Sequence, residues 1–250
     1  MKIALITGGS RGLGRSMALH LAARGTDVIL TYQSRREEAD AVVAEIERLG
    51  RRALALPLNV AAHASFDSFG QALKATLEQR WQRSDFDFLI NNAGIGISVP
   101  IAQTSEEQFD QLVNIHFKGV FFLTQKLLPL IKDGGRILNI SSGLARFSMP
   151  GMAVYASAKG AIEVFTRYLA QELGPRRITV NVLAPGAIET DFGGGRVRDS
   201  ADINQLIAGQ TALGRVGLPD DIGGAVAVLL SDEAGWINGQ RIEVSGGIHL

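Results

Sequence analysis

Short, wholly apolar segments alternate with longer amphipathic segments along the chain, and this alternation constrains the fold more than any other feature. The apolar segments are continuous, as in Val28-Ile29-Leu30 and Phe88-Leu89-Ile90. Continuous apolar segments of this length are typical of parallel strands covered on both faces. We predict strands near 2–7, 27–32, 53–58, 86–91, 135–141, 178–184 and 241–245. We predict helices near 12–24, 35–49, 63–81, 105–131, 155–173, 201–209 and 219–231.

Alternating strands and helices favour an α/β fold with right-handed crossovers. We therefore predict a single Rossmann-type domain over residues 1–250, a doubly wound parallel sheet of about seven strands flanked by helices. No linker or repeat divides the chain. Because ligands of such sheets bind beyond the carboxyl ends of the strands, residues that follow strands are the first candidates for a functional site.

The composition excludes several classes of function. Lys plus Arg (25) equals Asp plus Glu (25), so no attraction to nucleic acid or to a membrane surface is indicated. There is no cysteine, which excludes disulfides and thiol chemistry and fits a cytoplasmic protein. No apolar stretch approaches membrane-spanning length. The four histidines are scattered without metal-ligand spacing, so we expect no metal.

A glycine-rich turn separates the first predicted strand from the first predicted helix. It runs Gly8-Gly9-Ser10-Arg11-Gly12-Leu13-Gly14. Backbone N–H groups and the positive end of a helix form a site for a pyrophosphate, and glycines let the backbone approach it closely. The alternative is an ordinary tight turn, but position, flanks and spacing all favour a cofactor site.

Three polar residues could carry proton transfer. Tyr155 and Lys159 are four residues apart in a helical segment, so both lie on one face. An ammonium group nearby favours a phenolate and would lower the pKa of Tyr155 from its usual value of about 10. Ser142 follows an apolar strand and would supply a hydroxyl. Taken alone, the Tyr–Lys spacing also fits a solvated pair on a surface helix.

Five motifs in order make the chain similar to the short-chain dehydrogenase/reductases. They are T-G-G-S-R-G-L-G at 7–14, N-N-A-G at 91–94, Ser142 thirteen residues before Tyr155, Y-A-S-A-K at 155–159 and P-G-A-I-E-T at 185–190. The resemblance implies that Tyr155 exchanges a proton with a carbonyl or alcohol oxygen held by Ser142. It also implies that Lys159 binds the nicotinamide ribose and lowers the pKa of Tyr155.

The resemblance assigns further residues to the nicotinamide cofactor. Asn91, Ala93 and Gly94 would pass behind it, and Asn59-Val60 would lie near the adenine, with Asn59 where the family usually has Asp. The nicotinamide end would contact the stretch that contains Pro185, Gly186, Ile188 and Thr190.

The end of the second strand favours NADP(H) over NAD(H). The position that would carry an acidic residue for the ribose 2′-hydroxyl is Tyr32. Ser34, Arg35 and Arg36 follow it, and Arg11 lies in the glycine turn. Because arginine binds phosphate with two donors and a permanent charge, we expect Arg11 and one of the other three to hold the 2′-phosphate. Arg35 and Arg36 could instead be the solvated first turn of a helix.

One position departs from the family pattern. The N-x-x-G element of the long helix is His116-Phe117-Lys118-Gly119, so His116 replaces the family's catalytic Asn. His116 could titrate near neutral pH and join a proton relay, or be a packing substitution, which we favour. The departure leaves open a second function, an NADP(H)-binding sensor or scaffold with little turnover.

The substrate is the least constrained property. The expected pocket wall includes Ile95, Gly96, Ser98, Leu144, Arg146, Met149, Met152 and Ile188 and continues into the loop from Phe192 to Asp202. Residues 188–213 are a predicted lid. This mostly apolar wall fits NADPH-dependent reduction of a ketone or a 3-oxoacyl group. For an acidic carrier protein, Lys132 and Arg176-Arg177 could form a basic rim, interrupted by Asp133. The resemblance implies a homotetramer.

Overall fold

Seven parallel strands form one sheet in the order β3-β2-β1-β4-β5-β6-β7. A computed structural model describes residues 1–250. The strands are β1 (Ile3–Ile6), β2 (Asp27–Tyr32), β3 (Ala53–Pro57), β4 (Phe86–Asn91), β5 (Ile131–Ile140), β6 (Thr179–Pro185) and β7 (Arg241–Val244). The predicted doubly wound sheet is confirmed. Since β1 pairs with both β2 and β4, the direction in which strands are added reverses between β1 and β4, which opens a crevice at their carboxyl ends.

Nine helices flank the sheet. They are α1 (Gly12–Ala23), α2 (Arg36–Arg48), α3 (Phe66–Trp81), α4 (Glu106–Val113), α5 (Gly119–Leu127), α6 (Ala153–Glu172), α7 (Arg196–Asp199), α8 (Ala201–Gly209) and α9 (Pro219–Leu229). None of them is both long and apolar enough to cross a membrane.

The core lies on both faces of the sheet because alternate side chains of each strand point to opposite faces. Ala4 and Ile6 of β1 pack with α1, α2 and α9, whereas Ile3 and Leu5 pack with α3, α5 and α6. All four of these side chains are fully buried. Burial on both faces explains why the strands are continuously apolar, and it fixes the sheet edge from which the functional residues project.

The predicted helix over 105–131 is wrong in detail. It divides into α4, a π-helical turn at Asn114–Lys118, α5 and a short 3₁₀ turn at Leu128–Leu130. At Gly119, which directly follows the π turn, an added Cβ would lie 2.2 Å from the carbonyl oxygen of Val60. The helix therefore passes too close to this backbone for any side chain. The next strand, β5, also begins at Ile131 instead of 135.

Candidate active site

The glycine turn between β1 and α1 is shaped so that only glycine fits. Gly8 and Gly12 have φ angles of +65° and +53°, in the left-handed region that favours glycine. At Gly14, an added Cβ would lie 2.2 Å from the carbonyl oxygen of Gly8. The turn consequently brings bare backbone to the crevice between β1 and β4.

The amino end of α1 fits a bound anion. Its first turn contains no acidic residue, and no side chain caps it. The free N–H groups of that turn therefore face the crevice without competition, as a pyrophosphate site requires. The predicted Ser10, Arg11 and Leu13 lie in this turn or at its start.

Two residues that the sequence analysis missed hold the glycine turn in place. The Thr7 hydroxyl accepts hydrogen bonds from the backbone N–H groups of Asn92 (2.9 Å) and Ala93 (3.0 Å). The Asn92 amide donates to the carbonyl oxygens of Thr7 (2.9 Å) and Gly8 (3.1 Å). Both residues belong to motifs quoted above, and polar side chains at two adjacent strand ends were the available signal.

Asn91 faces the protein interior. Its side chain is 4% exposed and donates to the Thr124 hydroxyl (3.0 Å) and to Asn139 Oδ1 (2.8 Å). These bonds tie β4 to α5 and β5. Asn91 therefore supports the crevice from below, while Ala93 and Gly94 extend beyond the strand end.

The Ser–Tyr–Lys group converges at the carboxyl end of β5. Ser142 follows that strand, and Tyr155 and Lys159 lie on the first two turns of α6. Tyr155 is 7% exposed and Lys159 is 5% exposed. Lys159 Nζ donates to the carbonyl oxygen of Ile140 (2.7 Å) and lies 5.6 Å from the centre of the Tyr155 ring.

Burial governs the ionisation of this group. It raises the pKa of Tyr155 to about 12, against a smaller lowering by the Ser142 hydroxyl. It lowers the pKa of Lys159 to about 7. The expectation that Lys159 lowers the pKa of Tyr155 is not met, because the ammonium group is desolvated and directed to the Ile140 carbonyl. At neutral pH the Tyr155 phenol is protonated and can donate a proton.

His116 lies in the π-helical turn and is fully buried beside Tyr155. The two rings meet edge to face with centres 4.9 Å apart. His116 Nε2 lies 2.7 Å from the Ile95 carbonyl oxygen, and Nδ1 has no partner. Burial, and secondarily the charge of Lys159, lowers the pKa of His116 to about 3. Titration near neutral pH, one of the two predicted possibilities, is therefore wrong, and the ring is neutral.

The arginines predicted to bind the 2′-phosphate lie on the expected edge, each beside a carboxylate. Arg11 Nη1 is 3.2 Å from Asp191, Arg35 is 2.5 Å from Glu38, and Arg36 is 3.4 Å from Asp40. Tyr32 ends β2, and the exposed Ser34 follows it. Further along the edge, Asn59 and Val60 follow β3. The Asn59 Oδ1 atom accepts a hydrogen bond from the backbone N–H of Ala61 (2.9 Å), so this oxygen already has a partner within its own loop.

Phe192 covers the Ser–Tyr–Lys group. Its ring centre is 5.7 Å from that of Tyr155, and a Cβ added at Gly96 would lie 2.9 Å from the Phe192 ring. Ile95, Leu144 and Met152 are half-buried, whereas Met149 is exposed. The remaining predicted site residues lie at the carboxyl end of β6 and in the segment that follows it: Pro185, Gly186, Ile188 and Thr190.

Arg146 does not line the pocket as expected. Its guanidinium binds Glu243 (2.8 Å) and the carbonyl oxygens of Ile248 (2.8 Å) and His249 (2.8 Å). It is held there because these acceptors surround its whole donor edge. No cluster of three or more His, Cys, Asp or Glu side chains that could hold a metal ion is present.

The sequence matches known proteins over nearly its whole length. The family profile described as enoyl-(acyl carrier protein) reductase matches residues 8–249. The tetrahydroxynaphthalene reductase PfmaG of Pestalotiopsis fici is 39% identical, with 98% of this chain and 91% of PfmaG covered. The hydroxynaphthalene reductase-like protein Arp2 of Metarhizium brunneum is 35% identical, with 98% and 94% covered.

Solved structures of reductases also match the chain over nearly its whole length. LugOII, a promiscuous reductase that catalyses keto-reduction at C1 during lugdunomycin biosynthesis, superimposes with a TM-score of 0.94 at 37% identity, with 100% of this chain and 98% of LugOII covered. The angucycline C-6 ketoreductase LanV with bound NADP gives 0.93 at 34% identity, with 98% and 95% covered. Together with the motifs and the sheet order, these matches show that the chain belongs to the short-chain dehydrogenase/reductase family.

Proposed function

We propose that the protein is an NADP(H)-dependent reductase that converts a ring ketone of a polycyclic aromatic compound to an alcohol. The observation that carries the proposal is the buried, protonated Tyr155 phenol beside Ser142, under the aromatic ring of Phe192. A phenol held in its acid form suits proton donation to a carbonyl oxygen. The named activities of PfmaG, LugOII and LanV, all reductases, support the same class of substrate.

Each residue of the site has a separate role in the proposed reduction. The Ser142 hydroxyl donates a hydrogen bond to the substrate carbonyl oxygen, and Tyr155 transfers its phenolic proton to that oxygen. When bound, the cofactor supplies the hydride that reduces the carbonyl carbon. Lys159, held by its hydrogen bond to the Ile140 carbonyl, binds the nicotinamide ribose. His116, neutral and bound to the Ile95 carbonyl, fixes the backbone beside the substrate.

We assign the cofactor as NADP(H). Position 32 lacks the carboxylate that would accept from a 2′-hydroxyl, and Arg11 lies at the glycine turn. The LanV structure with bound NADP supports this assignment. Replacing Tyr32 by Asp together with Arg11 by Ala should reverse the preference for NADPH over NADH. Unchanged NADPH selectivity in that double variant would contradict the assignment.

An aromatic ketone is favoured over a 3-oxoacyl group on a carrier protein. Phe192 places an aromatic ring 5.7 Å from that of Tyr155, which suits an aromatic substrate. The basic rim that a carrier would require is weakened because Arg176 binds Asp133 (2.7 Å) and the carbonyl oxygen of Leu128 (2.9 Å). Both classes of substrate need the same catalytic group, so turnover with each decides between them.

We also propose that residues 188–213 form the substrate lid of the single domain and that the protein is a homotetramer. Gly193, Gly194 and Gly195 all have positive φ angles (61°, 79° and 75°), which suits a hinge at the start of the lid. Exposed apolar side chains on the surface support subunit contacts: Phe122, Val164, Tyr168 and Trp236.

The test is NADPH and NADH oxidation by purified protein with hydroxynaphthalene-type diketones, angucycline-type ketones, simple ketones and 3-oxoacyl thioesters. We expect NADPH-dependent turnover to be fastest with the aromatic ketones. Faster turnover of the thioesters would move the substrate to the acyl class. NADPH binding without turnover of any substrate would favour the sensor function.

A further inference from the structure

Two arginines bind one carboxylate at the entrance to the cofactor crevice. Asp191 directly follows Thr190, and its two oxygens bind Arg11 of the glycine turn (3.2 Å) and Arg198 of α7. Arg35 lies close enough that Asp191, although less than Glu38, raises the pKa of its guanidinium. Arg11 is the residue to which we assign the 2′-phosphate, and Arg35 is one of the three candidates for its second contact. Arg198, which also binds Asp199 (2.7 Å), has no role so far.

The Asp191 contacts join two parts of the chain that the crevice separates. Arg11 belongs to the turn that leads into α1, and Arg198 lies just beyond the three left-handed glycines of the lid. Thr190 also contacts the glycine turn, since a Cβ added at Gly12 would lie 3.6 Å from its side chain. The carboxylate therefore lies on the lid segment, where a guanidinium group of the glycine turn and a guanidinium group of α7 meet.

A carboxylate held by two guanidinium groups is the arrangement that a phosphate group would also satisfy. Both anions accept paired N–H donors from arginine, and a phosphate offers more oxygens and more charge. The hydrogen bond from Arg198 lowers the pKa of Asp191, so this anion is present at all physiological pH values. A phosphate that enters must compete with it and, by charge repulsion, drive it away.

We propose that Asp191 is an internal substitute for the 2′-phosphate of NADP(H), and that Arg198 transfers from Asp191 to this phosphate when the cofactor binds. Arg198 is thus a specificity-determining residue carried by the lid. This inference rests on the proposed assignment of the 2′-phosphate to Arg11. It follows that NADP(H) holds the lid against the glycine turn more strongly than NAD(H) does.

The test measures binding by calorimetry, without turnover, for NADP⁺, NAD⁺ and adenosine 2′,5′-bisphosphate. The bisphosphate carries the 2′-phosphate but neither pyrophosphate nor nicotinamide. Arg198→Ala should weaken binding of NADP⁺ and of the bisphosphate about tenfold, as loss of a charge-assisted bond predicts. It should change NAD⁺ affinity less than about twofold, and Arg198→Lys should fall between Ala and wild type.

Arg196→Ala is the matched control, because Arg196 lies on the same short helix and is exposed. It should leave all three affinities unchanged. Asp191→Asn should strengthen NADP⁺ binding about threefold, since it removes the competing charge. Hydrogen exchange is a second readout. NADP⁺ should slow exchange of the α7 amides in wild type, and this protection should be lost in Arg198→Ala.

Two results with Arg198→Ala would overturn the inference: NADP⁺ affinity equal to that of wild type, or an equal loss of affinity for NADP⁺ and NAD⁺. Weaker NADP⁺ binding by Asp191→Asn would also contradict it, because Asp191 would then support the arginines. Wild-type protein that binds the bisphosphate no better than 5′-AMP would instead overturn the cofactor assignment itself.

Discussion

The proposed catalytic cluster (Ser142, Tyr155, Lys159 and His116) and the proposed lid cluster (Arg11, Asp191, Arg198 and Asp199) follow opposite electrostatic rules. In the proposed catalytic cluster, burial dominates. It shifts the pKa of each titrating group in the direction that favours the neutral form of that group. In the lid cluster the side chains are about half exposed, and hydrogen-bonded ion pairs stabilise the charged forms of Asp191 and Arg198.

The difference shows how one edge of a sheet can serve two ends of a cofactor. Proton transfer needs groups that can exchange a proton, and burial supplies them by making charge costly. Recognition of a phosphate needs groups whose charge is permanent, and exposure keeps arginine charged at little cost. Four expected results test this difference between the two clusters.

The largest effect should come from Tyr155→Phe. Removing the phenolic oxygen eliminates the proton donor, so we expect the turnover of a ketone to fall about 10³-fold. NADP⁺ affinity should change less than about twofold, which calorimetry measures. Tyr168→Phe on the exposed side of the same helix is the control and should retain full turnover. Substantial turnover by Tyr155→Phe would exclude Tyr155 as the proton donor.

Lys159→Met should alter how stability depends on pH. The pKa of Lys159 is about 7 in the folded protein, below its unfolded value of about 10.4, so the unfolded chain binds more protons between these pH values. Wild-type unfolding free energy should consequently gain about 2 kcal/mol between pH 7.5 and 9.5 from this residue.

Denaturant unfolding at both pH values measures this gain, and Lys159→Met should lack it. The exposed Lys74→Met variant is the control and should behave like wild type. If the unfolding free energy depends on pH equally in wild type and in Lys159→Met, burial does not lower the pKa of Lys159.

His116→Asn should improve stability in acid. The folded pKa of His116 is about 3, below its unfolded value of about 6.5, so wild type loses stability as the pH falls through 6.5. Between pH 6.5 and 5 we expect wild type to lose about 2 kcal/mol more than His116→Asn. The control is His20→Asn, at a half-exposed histidine. An unchanged acid profile for His116→Asn would contradict the role of burial.

Salt should produce the smallest effect and confine it to the lid cluster. Raising NaCl from about 0.05 to 0.5 M shortens the screening length and weakens exposed ion pairs. We expect amide exchange in α7 to increase about twofold, while exchange near Tyr155 stays constant. Equal responses at both places would remove the distinction between the clusters.

The architecture and the closeness of Tyr155 and Lys159 could be predicted because they depend on periodicity and on short-range spacing. Continuous apolar strands fixed the parallel sheet, and a four-residue interval was enough to place Tyr155 and Lys159 on one helix face. Their ionisation could not be predicted. It depends on desolvation and on the Ile140 carbonyl, which is nineteen positions from Lys159 in the chain.

The contacts of the lid cluster could not be predicted from the sequence for a related reason. Asp191 and Arg198 carry no motif, and Arg11 meets Asp191 across 180 positions of sequence. Thr7 and Asn92 were also missed, although they lie inside recognisable motifs, because their hydrogen bonds cross between strands. Arg146 was misplaced since only the folded chain brings Glu243 to it.

The π-helical turn at Asn114–Lys118 has a consequence for insertions and deletions. A π turn holds one residue more than an α turn, and each residue rotates a helix by about 100°. Deleting the exposed Lys118 should therefore convert the segment to continuous α-helix while α5 keeps its place, at the cost of withdrawing His116 from Ile95. The deletion of one residue thus separates the two helix geometries, and with them two shapes of the wall beside Ile95.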